Sequence, residues 1–188
     1  MQRTVLFVQG AGEGTYDEWD CHLVKSLEDA LGPDFTVTYP RMPGEVDPDF
    51  AVWMATLQRE MSKLRDGDIL IGHSAGGTCL IQTLAAESVG FSPGAVILLA
   101  APFFGPGGWQ ADGVPSGEAL GSALPPDMAI SLWHGDADEI VPHDHAELYA
   151  RALPRSKLHL VPGRDHQFNN DLRDVAADVR RLTPERQS

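Results

Sequence analysis

Asp68-Ile69-Leu70-Ile71-Gly72-His73-Ser74-Ala75-Gly76-Gly77-Thr78-Cys79-Leu80 is the stretch on which the reading of this chain turns. Residues 68–72 (DILIG) are a short apolar run that reads as a strand. Residues 75–87 place Cys79, Leu80, Thr83 and Leu84 on one helical face. Between them lies G-x-S-x-G. A strand that turns this sharply into a helix holds Ser74 at the apex in strained backbone geometry. Side chains two residues before or after it would clash. The pentapeptide alone is a weak signal in a glycine-rich chain. Its position between a strand and a helix gives it weight.

Outward from this turn, strands and helices alternate. Residues 4–9 (TVLFVQ) end in Gly10-Ala11-Gly12. Residues 17–31 carry Trp19, Leu23, Leu27, Ala30 and Leu31 at helical spacing and stop at Gly32-Pro33. Strands are expected again at residues 35–39, 95–100, 129–134 and 157–161, and helices at 49–65, 143–153 and 171–182. This rhythm predicts an α/β fold: a doubly wound, mostly parallel six-stranded sheet with helices on both faces. Near-continuous apolar strands fit burial from both sides. Residues 102–127 break the rhythm. They are rich in Gly and Pro, with at most one short helix near residues 116–123. No repeat or linker divides the chain, so a single domain over residues 1–188 is expected.

Composition narrows the classes of function. Of 188 residues, 14 are Lys or Arg and 27 are Asp or Glu, a formal charge of −13 that opposes nucleic acid and anionic membrane surfaces. The longest apolar run, residues 95–104, is broken by Pro102 and falls short of the roughly 20 residues of a spanning helix. The N-terminal run at residues 5–8 is too short for a secretory leader, and two cysteines make no disulfide framework. The expectation is a cytoplasmic protein with no membrane partner.

Two further stretches follow strands. One is His134-Gly135-Asp136-Ala137-Asp138-Glu139-Ile140-Val141-Pro142; the other is Pro162-Gly163-Arg164-Asp165-His166-Gln167-Phe168. The first supplies the acids Asp136, Asp138 and Glu139, and the second supplies His166, all after the serine. Ser–acid–His is one of several chain orders able to assemble a nucleophile, an orienting carboxylate and a base. All lie just past the carboxyl ends of strands, where open α/β sheets place their sites.

These stretches, with VLFVQGAGEGTYDEW and YPRMPGEVDPDFAVW, resemble a small α/β-hydrolase without a cap. The similarity is greatest to the compact group that includes the retinoblastoma-binding serine hydrolase and its bacterial relatives. The resemblance covers nearly the whole chain. It implies the sheet order 2-1-3-4-5-6 and selects Asp138 over Asp136 and Glu139, giving a Ser74–His166–Asp138 triad. It also implies an oxyanion hole from the Ala75 and Ala11 N–H groups. Many relatives have His where this chain has Gln9, and a small residue where Asp165 precedes His166. Asp165 is expected to raise the pKa of His166.

The activity so implied is cleavage of small carboxylic esters or thioesters through an acyl-enzyme, with a small acyl compound as partner and no cofactor. The other reading is a hydrolase-fold protein that mainly binds another protein. Phe103, Phe104 and Trp109 are expected to wall the acyl pocket. Trp19, Trp53 and Trp133 are expected to pack, and His73 to be packed or hydrogen-bonded. His143-Asp144-His145 reads as an exposed first turn, because histidines two apart face different ways; no metal is expected. Gly10-Ala11-Gly12-Glu13-Gly14 lacks the pattern of a phosphate loop, and Glu13 would repel a phosphate.

Overall fold

In the computed structural model, which describes residues 2–183, the six apolar runs form β1 (Arg3–Val8), β2 (Phe35–Thr38), β3 (Ile69–His73), β4 (Ala95–Leu99), β5 (Ile130–Gly135) and β6 (Lys157–Val161). They make one sheet in the order β2-β1-β3-β4-β5-β6, and every neighbouring pair is parallel. The predicted order holds. "Mostly parallel" becomes wholly parallel, because each connection crosses over through a helix or long loop.

Side chains alternate between the two faces of the strands. Leu6, Val8, Leu70, Val96, Leu98 and Leu132 face a core shared with α2 (Phe50–Met61), α3 (Ala75–Ala86) and α5 (Asp144–Ala152). Val5, Phe7, Ile69, Ile71, Ile97 and Leu99 face the core under α1 (Asp20–Leu31) and α6 (Arg173–Leu182). β1, β3 and β4 are thus apolar at nearly every position because each residue meets one core or the other. Trp53 and Trp133 are buried as expected.

Trp19 is not: it is 53% exposed. The predicted helix over 17–31 begins instead with a widened turn, Thr15–Trp19, and α1 starts at Asp20. The wide turn breaks the register that would have aligned Trp19 with Leu23, and turns the indole outward. Residues 102–127 hold a bridge between Phe104 and Trp109, a tight turn at Gly117–Ala119 and the short α4 (Leu120–Ala123). No helix among the described residues is long and apolar enough to cross a membrane.

Steric closeness ties the centre of the sheet to α3. A Cβ on Gly72 would lie 2.5 Å from Gly77 Cα, and one on Gly76 would lie 2.1 Å from the Gln9 carbonyl oxygen and 2.8 Å from that of Val8. Gly76→Ala therefore pushes α3 off the end of β1 and is expected to destabilise the protein by about 1–3 kcal/mol. Gly90→Ala, where a Cβ meets nothing within 4 Å, is the control. Thermal melting of the two variants beside the parent checks this.

Candidate active site

Ser74 sits between β3 and α3 at φ 52°, ψ −130°, an unfavourable backbone conformation for a residue with a side chain. Its N–H donates to the Leu99 carbonyl at 2.8 Å, which fastens the elbow to the end of β4. The turn after β1 runs against the serine: a Cβ on Gly10 would lie 3.0 Å from Ser74 Cβ. Within that turn the Gly10 N–H donates to the Asp20 carboxylate at 2.8 Å, and the Gly12 N–H to the Glu45 carbonyl at 2.6 Å. Ala11 N–H, between them, has no protein acceptor among the described residues. Neither has Ala75 N–H, at the start of α3. Two undirected donors thus flank the serine, the second at a helix N-terminus. Gln9 braces the turn from beneath. Its Oε1 accepts from Met42 N–H and its Nε2 donates to Glu45, at 2.9 and 2.8 Å.

Asp138, rather than Asp136 or Glu139, meets the histidine. Its Oδ2 lies 2.8 Å from His166 Nδ1. Its Oδ1 accepts the N–H groups of Ile140 and Val141 at 2.8 and 2.9 Å, so the loop's own backbone fixes the carboxylate. His134 Nε2, at the end of β5, stands 2.8 Å from the Val141 carbonyl and 3.1 Å from Asp138 Oδ2. Burial pushes the Asp138 carboxyl up, but hydrogen bonds from His134 and His166 outweigh it and hold the group well below the usual carboxylate range. Asp136 performs the turn role: its Oδ1 accepts from Gly163 N–H at 2.6 Å and joins the loop after β5 to the loop after β6. Glu139 is exposed.

With Nδ1 committed to Asp138, Nε2 is the nitrogen of His166 left to take a proton. The Ser74 hydroxyl has no hydrogen-bond partner among the described residues, so the serine–histidine link is not closed here. Such links commonly tighten only with substrate in place. His166 is nevertheless held over the elbow, since its carbonyl oxygen lies 2.9 Å from Nε2 of His73, the residue before Ser74. Burial lowers the His166 pKa below its ordinary value. The Asp138 hydrogen bond opposes this and the neighbouring His73 adds to it. The expected upward push from Asp165 is not found. That carboxylate is turned away and accepts from Asn169 N–H at 2.7 Å, on the outside of the loop.

The pocket residues divide. Phe103 is 3% exposed; it belongs to the core, edge-on to Tyr149 at 5.1 Å, rather than standing in an open wall. The reason is local: Gly108 and Gly117 close around its ring. Phe104 and Trp109 meet edge to face at 6.1 Å, and Trp109, 39% exposed, meets His145 at 5.1 Å. His145 is buried, not part of an exposed turn. Its Nδ1 accepts from Phe103 N–H at 2.8 Å, and burial lowers its pKa. No group of three or more His, Cys, Asp or Glu able to hold a metal occurs among the described residues. Asp20 and His134 escaped the sequence reading, and His145 was read there only as exposed. A polar residue in an apolar helical pattern, as at Asp20, is the available signal.

The strained serine, the buried Asp138 and His166 thus gather at one end of the sheet. The serine hydrolase family model matches residues 5–169, and the chain belongs to that family. No curated protein sequence matches. Solved structures share the fold. The ydeN gene product of B. subtilis is 18% identical, with TM-score 0.69 over 95% of this chain and 98% of that one. XC6422 from Xanthomonas campestris, described as an α/β serine hydrolase without lid, is 20% identical, with TM-score 0.66 over 98% and 84%. A bromoperoxidase from Bacillus anthracis is 14% identical, with TM-score 0.72 over 96% and 92%.

Two outcomes are expected from NMR titration. His166 titrates below the ordinary imidazole value, because burial disfavours its charged form. Asp138→Asn moves it lower still, because the hydrogen bond to an anion that favours the imidazolium is removed while the burial remains.

Proposed function

We propose that this serine hydrolase cleaves small carboxylic esters or thioesters through an acyl-enzyme. Ser74 Oγ attacks the acyl carbon while His166 Nε2 takes its proton. Asp138 fixes the ring with Nδ1–H inward and stabilises the imidazolium that forms. The tetrahedral oxygen receives the Ala11 and Ala75 N–H groups, each expected to contribute about 3 kcal/mol to the transition state. His166 returns the proton to the departing alcohol or thiol, and water repeats the sequence to release the acid. No cofactor enters these steps.

The observation that carries the reading is the fixed Asp138–His166 contact over a strained serine flanked by two uncommitted N–H donors. The pocket reading rests on Phe104, Trp109 and His145, with Phe103 as the plug beneath them. The closer likeness to the retinoblastoma-binding group is supported by Trp53, whose indole N–H donates to the Pro43 carbonyl at 2.7 Å within the matching segment. A cytoplasmic setting is supported by free thiols at Cys21 and Cys79. The strong net negative charge supports a small acyl compound, rather than nucleic acid or membrane, as partner.

A fluorophosphonate probe read by intact mass tests the proposal. One adduct per wild-type chain and none on Ser74→Ala is the expected result. A folded wild type without an adduct would overturn it and leave the protein-binding reading. Trp109→Ala is expected to lower the preference for hexanoyl over acetyl esters, measured as the ratio of kcat/KM, by about tenfold.

A further inference from the structure

His73 takes no part in the steps above, yet it is buried at the centre of the site. Its Nδ1 lies 2.9 Å from the Asp20 carboxylate, and its Nε2 lies 2.9 Å from the His166 carbonyl oxygen. Asp20 is fully buried as well. A carbonyl and a carboxylate only accept hydrogen bonds, whereas a neutral imidazole has a single N–H to give. A neutral His73 would leave a lone pair facing an oxygen in a dry site. The other way to satisfy both contacts is to move the proton onto Asp20. The Asp20 oxygens, however, already accept from Gly10 N–H at 2.8 Å and Gln167 Nε2 at 3.2 Å, and both contacts favour the anion.

We infer that Asp20 and His73 are a second, permanently ionised carboxylate–imidazolium pair. It positions the hydrolytic site by pinning the turn after β1, the elbow and the loop of His166 to one another, and it sets a fixed positive charge beside the base. The kinetic consequence rests on the hydrolase reading above; the ionisation does not. Asp20 makes three ties: Gly10 belongs to the turn that carries the candidate oxyanion donor, His73 precedes the nucleophile, and Gln167 follows the base. The His73 and His166 rings stand 4.8 Å apart, tilted by 50°. Burial disfavours charge on His73 and on Asp20, but each holds the other ionised, with the imidazole pKa raised and the carboxyl pKa lowered.

The charges around His166 are distinct in effect. Asp138, with His134 behind it, faces the ring from the loop after β5 and favours the imidazolium. His73 on β3 opposes it, and Asp20 on α1 favours it more weakly from behind His73. Asp165, on the same loop as His166, is bonded to Asn169. Burial is the main reason that His166 favours the neutral, proton-accepting form, and the pair as a whole adds to it. Asp20 and His73 are positioning residues, not catalytic ones.

Asp20→Asn in the full chain removes the charge and keeps the shape. The new amide can donate to Nδ1 of a neutral His73, whose Nε2–H still reaches the His166 carbonyl. Imidazole 15N NMR of wild type is expected to show both His73 nitrogens protonated throughout the neutral range, with a through-hydrogen-bond coupling from Nε2 to the His166 carbonyl carbon. In D20N, His73 becomes the neutral Nε2–H tautomer and the His166 titration midpoint moves up. The acid limb of the fluorophosphonate labelling rate at Ser74 follows it, and the plateau falls about tenfold. An unprotonated His73 nitrogen in wild type at neutral pH, or an unmoved His166 midpoint in D20N, would overturn the inference. If D20N does not fold, the wild-type spectrum and coupling decide it. If wild-type Ser74 takes no probe, the hydrolase reading fails while the same spectra still decide the pair.

Discussion

The oxygen of Gln9 lies where a side chain on Gly76 would have to be, and the rest of the site depends on that contact. It lets the first turn of α3 descend onto the end of β1. The descent brings two chain segments, distant in sequence, to opposite sides of one serine. Gly72 and Gly77 permit the same approach from β3. Ser74 then has no room for a relaxed backbone, and its strain is maintained by the helix behind it, the tie to Leu99 and the parallel strands on either side. A helix seated less deeply would relax the serine and separate the donors on either side of it.

Around this steric centre runs a chain of carboxylate–imidazole contacts in which both carboxylates are buried. Asp138 faces two histidines and two backbone N–H groups. Asp20 faces a histidine, a backbone N–H and an amide. A buried carboxylate is costly unless every lone pair is met, and here the partners come from different strands and loops. The cost of burying charge becomes a requirement that those loops stay together. Most of the chain's negative charge serves otherwise, on exposed residues such as Asp29, Glu139 and Asp144.

The sheet was legible because its physics is local. Apolar runs at β1, β3 and β4 report burial on both faces, and alternate residues divide cleanly between the two cores. Ser74 and its glycines were legible because the steric demand of the turn is written in adjacent residues. Selection of Asp138 among three acids needed the family likeness; in space it follows from the two N–H groups of residues 140 and 141. Trp19 was misread because one widened turn cancels a helical register that the spacing alone suggests. His145 and Phe103 were misread because the hydrogen bond from the Phe103 N–H to the His145 ring closes only once the loop after β4 folds onto α5. Asp20 was passed over because its partners on β3 and on the loop after β6 are distant in sequence.

The Gly- and Pro-rich segment between β4 and β5 illustrates a different economy of design. Phe103, gripped between Gly108 and Gly117, works as a stopper that seats both ends of the loop in the core. Residues 110–113, at the tip of the segment, are exposed. The base of the segment is packed into the core, whereas its tip stands in solvent. An exposed tip of this kind tolerates exchange or lengthening of its sequence without moving the packed base below it. In a chain this small, length can change at that tip at little cost to the sheet beneath.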